Sequence, residues 1–363
     1  MNITRSNNQL NSQHHEKYLL LVITVMLALV SCNDDKDEPV KYLYAKDNIN
    51  ICVSFIENNQ DFIYNLDGEL IFQAEPGKRI MYLVSDDQNW YAVYGKSVIK
   101  NGVTLYSTDN EINGLVVDHG DFYTLEAEPL YSPDPNSHIY YGDKWSINKN
   151  GSVLYDLPVY VGQAKFSNLR IHPKSTGQPD VVVDSYTGYQ KKCPWVNGQE
   201  FTLPSVEFRD ILCFDVCDNQ ALMCYWDYSL KTKYWFSGNE VSLGSFSPVQ
   251  ASIYDGKPYI LGRKTEESGE RKQPVLITDG QERIFESPVN DKKLTNSGSM
   301  LKRGEDLFVL CTGKGDHYSI IFKNDIPIIV DSEIHDGTVN NGSSISDHLY
   351  SGFIVMDKQS KNQ

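Results

Sequence analysis

The chain has 363 residues, with 33 Lys and Arg against 48 Asp and Glu and a formal net charge of −15. That balance excludes a nucleic-acid binder working by phosphate neutralisation, which needs Lys and Arg to displace counterions, and it offers no electrostatic attraction to anionic lipid. The 23 Tyr, 14 Phe and 5 Trp, together with the absence of long amphipathic helical periods, point to an all-β chain in which Tyr takes half-buried strand positions.

Residues 1–31 have the parts of a secretory signal. Arg5 and Lys17 lie ahead of an apolar run, Tyr18 to Val30, that ends in Leu29-Val30-Ser31-Cys32. Thirteen apolar residues are too few to cross a bilayer as a helix, which takes roughly 20. Leu-Val-Ser-Cys resembles the lipobox of bacterial lipoproteins. The resemblance implies that Cys32 becomes a lipidated N-terminus and that the chain meets the membrane through that anchor; each buried methylene contributes about 0.8 kcal/mol. An acidic run follows, Asn33-Asp34-Asp35-Lys36-Asp37-Glu38-Pro39. It resembles the export tag behind the lipid-bearing Cys of Bacteroidota surface lipoproteins, which implies the outer face of the outer membrane. The same run also reads as a solvated tether over 32–45. Losing residues 1–31 removes Arg5, Lys17 and Glu16, leaving 31 basic against 47 acidic residues and a charge of −16.

From residue 46 to 357 one hairpin recurs: an aromatic-rich strand, an Asn-Gly or near-equivalent turn, then a short apolar strand. The copies are FIYNLDGELIF (62–72), SVIKNGVTLY (97–106), WSINKNGSVLY (145–155), CPWVNGQEFTL (193–203), YWFSGNEVSL (234–243), VLITDGQERIF (275–285) and IIFKNDIPIIV (320–330). Asn-Gly and Asp-Gly tolerate the two positive φ angles of a type I′ turn. Further alternating or apolar strands precede each copy, such as WYAVYG (90–95) and NGLVVDH (113–119). About four strands per roughly 40–45 residues is the period of propeller blades. The spacing predicts an all-β β-propeller of seven four-stranded blades. The C-terminal strand in 347–357 would complete the first blade and hide both sheet edges; residues 358–363 form a tail. Two β-sandwiches are the alternative architecture. The units resemble the divergent β-propellers of Bacteroidota surface lipoproteins, although the Gly-His and Trp-Asp marks of WD40 blades and the Asp-box of sialidase-type propellers are absent. That departure leaves no catalytic residue to carry over.

Candidate chemistry is sparse. If 209–216 and 221–226 form a hairpin with Cys217 to Gln220 as its loop, Cys213 faces Cys224; they form either a cross-strand disulfide or two buried apolar thiols. Cys213-x₃-Cys217 has no His or Cys partner at zinc spacing. Acidic residues and histidines gather at Asp118-His119-Gly120-Asp121, Asp316-His317 and Glu333-Ile334-His335-Asp336, either as convergent loop chemistry or as turn formers bonding their own backbone. Trp145, Trp195 and Trp235 occupy equivalent places before their turns and are expected to pack between blades. Trp226 is another aromatic near a turn. Tyr131, Tyr140 and Tyr141, in an irregular Pro- and Tyr-rich insertion at 128–144, and Trp90 are the expected ligand contacts.

These readings give a surface-anchored lipoprotein whose propeller binds a glycan or an outer-membrane protein partner without catalysis or cofactor. An extracellular polysaccharide-degrading enzyme and a scaffold for an outer-membrane complex are the alternatives.

Overall fold

Six of the seven expected hairpin turns fall among the residues that the computed structural model describes: 49–57, 60–65, 70–132, 139–161, 164–174, 177–187, 190–265, 272–288, 293–313, 319–330 and 352–357. In all six both central residues have positive φ. Asn101 and Gly102 stand at 49° and 82°, Asn150 and Gly151 at 51° and 80°, Asn197 and Gly198 at 51° and 76°, and Asp279 and Gly280 at 50° and 74°. Ser237-Gly238 and Asn324-Asp325 adopt the same geometry, whose twist matches the flanking strands. The turn at Gly68, the leader 1–31, Cys32, the tether 32–45 and the tail 358–363 lie outside the described residues.

The described strands are all antiparallel. The first sheet holds β1 (Ile49–Glu57), β2 (Gln60–Asn65) and β3 (Leu70–Gln73). The second is β4 (Ile80–Ser85), β5 (Trp90–Tyr94), β6 (Ser97–Lys100) and β7 (Val103–Ser107). The third is β8 (Glu111–Asp118), β9 (Asp121–Tyr131), β10 (Tyr140–Lys149) and β11 (Ser152–Asp156), with β12 (Tyr160–Val161) on the free end of β10. Next come β13 (Ala164–His172), β14 (Asp180–Thr187), β15 (Gln190–Val196) and β16 (Gln199–Glu200), then β17 (Asp210–Cys217), β18 (Gln220–Trp226), β19 (Thr232–Phe236) and β20 (Asn239–Gly244). Two more sheets follow: β21 (Phe246–Tyr254), β22 (Lys257–Thr265), β23 (Lys272–Thr278) and β24 (Gln281–Ile284), then β25 (Leu294–Arg303), β26 (Asp306–Gly313), β27 (Ser319–Lys323) and β28 (Ile326–Val330). The last strand, β29 (Gly352–Asp357), pairs with β1 in the first sheet.

Six sheets therefore stand where seven separate ones were expected. The difference is local. One pair, Lys191↔Ile211, joins β15 to β17 and merges two repeats into an eight-stranded sheet. The two-residue β16 covers only the Trp195–Val196 end of β15, so the Lys191 end is free to meet its neighbour.

The first strands of successive repeats pack together: β29 on β4, β4 on β8, β8 on β13, β17 on β21 and β21 on β25. Apolar side chains fill the space between sheet faces. Ile63, Ile80, Trp90 and Ile354 share one cluster, Tyr91, Val98, Leu115 and Phe122 the next, and Leu125, Trp145, Phe166 and Val183 a third. Four-stranded antiparallel blades stacked face to face through their first strands define a β-propeller.

The turn asparagines do more than turn. Asn101, Asn150, Asn197 and Asn324 each accept, through Oδ1, the backbone N–H of Trp90, Phe122, Val181 or Leu307 at 2.9–3.0 Å. Each also donates its own N–H to the carbonyl of that same residue. Their amide nitrogens reach Asn89, Asp121, Asp180 and Asp306 at 2.6–2.8 Å. One side chain thus fastens the turn between third and fourth strands to the start of the second strand.

The following glycine meets the preceding blade. A methyl group on Gly151 would stand 2.7 Å from the Tyr106 ring, and one on Gly198 2.8 Å from Tyr155. The aromatic that ends one hairpin therefore rests on the turn of the next. Asn150→Ala is expected to cost about 1–3 kcal/mol, the penalty for orphaning such donors, seen as a lower urea midpoint at constant m. An unchanged midpoint would contradict the clamp.

Candidate functional site

An antiparallel meander puts its first-to-second and third-to-fourth connections at one end and its second-to-third connections at the other, so each blade offers two different rims. The expected tyrosines lie on the second-to-third rim. The irregular stretch 128–144 is largely an extension of two strands, with Tyr140 opposite Tyr131 and a register shift between Tyr140 and Gly142 that breaks the alternation. Tyr131 is 55% exposed, Tyr140 47% and Tyr141 41%. The rings of Tyr131 and Tyr140 meet edge to face at 6.2 Å. The Tyr140 hydroxyl donates to Asp143 at 2.7 Å, and that bond pushes the phenol up to about 12. Exposed Ile139 and Val159 border the patch. Trp226 and Tyr228, also exposed, belong to the second-to-third connection between β18 and β19. Among the described residues, the remaining exposed aromatic is Tyr82 on β4.

Trp90 does not join them. It is 5% exposed and packs against Phe72 at 5.3 Å between the first two sheets, so the expectation of a ligand contact is corrected: both faces of β5 are covered by apolar clusters, and a ring on either face is buried. Trp145 and Trp195 flank Phe166 in a chain of edge-to-face rings, each 5.8 Å from it. Trp235 packs beside the Val182, Phe214 and Met223 cluster.

Asp118, His119, Gly120 and Asp121 form the turn between β8 and β9, on the opposite rim from the tyrosines. His119 has φ 50° and a side chain 87% exposed, in contact with Asp118. Asp121 bonds Lys149 at 2.7 Å and Asn150, and those contacts hold its carboxyl below the usual range. These groups serve the turn. Asp316, His317 and His335 lie outside the described residues. Cys213 does face Cys224, and both are buried.

The densest chemistry was not singled out in the sequence. Where β13, β14, β17 and β21 converge, Asp184 and Asp215 are fully buried. Arg170 Nη2 donates to Asp184 at 2.7 Å and its Nε to Asp215 at 3.2 Å. His172 Nε2 meets Asp215 Oδ1 at 2.8 Å, and Asp215 Oδ2 accepts the Ile253 N–H at 2.8 Å. Asn168 donates to the other Asp184 oxygen at 2.9 Å. Two carboxylates and one guanidinium leave one negative charge, which protonated His172 balances. Burial would push the imidazole down, but the hydrogen bond to Asp215 and its negative charge prevail and raise it to about 9. Burial likewise opposes the charge on Arg170, and the two aspartates hold its guanidinium above its ordinary value. At the rim beside this cluster, Lys174 holds Asp180 at 2.6 Å. The only local signals were two alternations, Arg170-x-His172 and Asp215-x-Cys217, each placing its pair on one strand face.

No family model matches the sequence, and neither does any curated protein. Solved structures of similar shape include the computationally designed Ika8 protein, at 13% identity over 78% of this chain and 86% of that one, TM-score 0.43. The WD40 β-propeller domain of Doa1 is similar at 11% identity over 74% and 87%, TM-score 0.39. Apo AztD from Citrobacter koseri is similar at 10% identity over 83% of each chain, TM-score 0.40. At these values the likenesses carry no functional weight, and the fold rests on the strand topology above.

Folding raises the His172 pKa from an ordinary 6.5 to about 9, so the folded state holds this proton more tightly. Its contribution to stability is complete below about pH 6.5 and is lost as pH rises through 9. Urea midpoints of the natural protein and of His172→Gln, measured from pH 6 to 10, are expected to converge as pH rises. A difference constant across that range would refute the charge balance.

Proposed function

We propose that this protein is a lipid-anchored, non-catalytic cell-surface propeller that binds an extracellular glycan through its second-to-third rim. The observation that carries the reading is the presence of exposed rings at that end of two repeats, Tyr131, Tyr140 and Tyr141 in one and Trp226 and Tyr228 in the other, while the opposite end carries the Asn-Gly-type turns. Aromatic faces stack on the apolar faces of sugars, and Asp143 beside Tyr140 supplies a planar acceptor for hydroxyls. A protein partner anchored on the same rings is the outcome to be separated from this one.

The architecture we propose for this role has seven blades. The eight-stranded sheet counts as two, since its halves have their own intervening core of Val182, Ile211, Phe214 and Met223, and β29 closes the ring from the last blade to the first. The Arg303 guanidinium, which donates to the Val355 carbonyl and reaches Asp87, supports that closure. In the same proposal, Cys32 carries the lipid and the acidic tether holds the propeller off the outer face of the outer membrane.

Residues 40–363 screened against a glycan panel are expected to bind, without turnover in a parallel hydrolysis screen. Tyr140→Ala and Tyr141→Ala should each weaken binding roughly tenfold, a loss of about 1.4 kcal/mol, whereas His119→Ala on the opposite rim should not. Hydrolysis would favour the enzyme, and no glycan bound, or equal binding by the tyrosine variants, would overturn the reading.

A further inference from the structure

We propose that the tyrosine end of the third sheet takes an oligosaccharide carrying free amino groups, bound as ammonium against Asp143 and Glu111. The inference rests on the glycan reading and names the class of sugar.

The geometry comes from register. Residues directly opposite in an antiparallel pair share a face, and so do alternate residues along a strand. Asp143 lies opposite Pro129, Trp145 opposite Ala127, and Ala127 opposite Glu111 on β8. Tyr131 is two residues beyond Pro129, and Tyr140 is its partner across the strands. Tyr131, Tyr140, Asp143 and Glu111 therefore occupy one face of the third sheet. In an unbroken strand Tyr140 would point away from Asp143. The register shift between Tyr140 and Gly142, with Tyr141 as the extra residue, turns it to the same side, as a bulge does. The hydrogen bond from the Tyr140 hydroxyl to Asp143 Oδ2 at 2.7 Å agrees with that placement.

Charge on this face is of one sign. Neither Asp143 nor Glu111 forms an ion pair among the described residues, and Asp143 Oδ1 stays open. The nearby cations are turned away. Lys144 lies opposite Glu128, one step from Asp143, so both occupy the reverse face. The face of interest looks toward the fourth sheet, because Trp145 on it meets Phe166. Lys165 adjoins Phe166 on β13 and so belongs to the far side of that sheet. The hydrogen bond to Asp143, with the charges of Asp143 and Glu111, holds the Tyr140 proton in place. The same field favours an ammonium and opposes a uronate or a sulfate.

The rings supply the rest of the fit. Tyr131 and Tyr140 stand at 68° to each other, two walls of an exposed corner. An ammonium on a sugar stacked there is drawn both to aromatic faces and to the carboxylates, whereas an acetamide at the same place keeps only the stacking. The other exposed pair, Trp226 and Tyr228, lacks this surplus. Asp227 between them is engaged by Lys233 at 3.5 Å and by the Ser229 and Lys231 N–H groups.

The test titrates the mature protein calorimetrically with a glucosamine tetramer, its N-acetylated counterpart and a galacturonate tetramer, at pH 6 where the free amines carry charge. The glucosamine tetramer is expected to bind about tenfold more tightly than the acetylated one, the gain of a hydrogen bond to a charged group, and the galacturonate not at all. In Asp143→Asn and Glu111→Gln the ratio of the first two affinities should fall towards one, whereas a purely structural loss would weaken both and leave the ratio. If a variant fails to fold, the natural protein decides alone. Equal affinity for the amine and the acetamide, or tighter binding of the galacturonate, overturns the inference and leaves the glycan reading standing. Silence toward both glucosamine forms overturns it as well, and the glycan reading falls with it only if the wider panel is also silent.

Discussion

The pairing of β29 with β1 joins segments about 300 residues apart, whereas the other strand pairings link neighbours along the chain. Closing a loop of that length costs about 5 kcal/mol in chain entropy. The strand offsets this by burying Phe353, Ile354, Val355 and Met356, each contributing about 1.5–3 kcal/mol. Ile354 and Met356 enter the core between the first and second sheets beside Ile80 and Trp90. The same strand therefore fills the edge of β1 and gives the second sheet a face to pack on. Without it, the first repeat would expose both an unpaired edge and an apolar face.

Elsewhere the blades hold one another through short, repeated contacts. Asp61 in the first sheet accepts the N–H of Ile80 in the second at 2.7 Å, as Asp215 does for Ile253. Gln250 on β21 makes both a donor and an acceptor bond to the Met300 backbone on β25, at 3.1 and 2.9 Å. Each satisfies backbone polar groups that the curved stacking would otherwise orphan. The Arg170 cluster is the most charged of these contacts, and its position at the merged fourth and fifth repeats explains why a guanidinium, an imidazole and two carboxylates come together there.

Much of the fold was legible because its determinants are local. Asn-Gly and Asp-Gly must turn with positive φ, and the aromatics that end several hairpins, Phe72, Tyr106 and Tyr155, mark where the next turn lands. The sheet count was not legible, because it depends on a single pair, Lys191↔Ile211, left possible by a fourth strand only two residues long. Pro204, which has no N–H for a ladder, lies just beyond that strand. Trp90 looked like a surface aromatic because the sequence does not show that its strand is covered on both faces. The cluster around Asp215 draws on residues from three successive repeats, so no window of sequence contains it; Tyr131, Tyr140 and Tyr141 were visible because one insertion holds all three.

Whether the two ends of the chain share a sheet can be measured most directly by hydrogen exchange on the mature protein and on a chain ending at residue 351. Loss of Gly352–Asp357 is expected to strip protection from β1 and β4 and to lower the thermal midpoint by many degrees. Equal protection of β1 and an equal midpoint in the shortened chain would contradict the pairing on which the first blade is built.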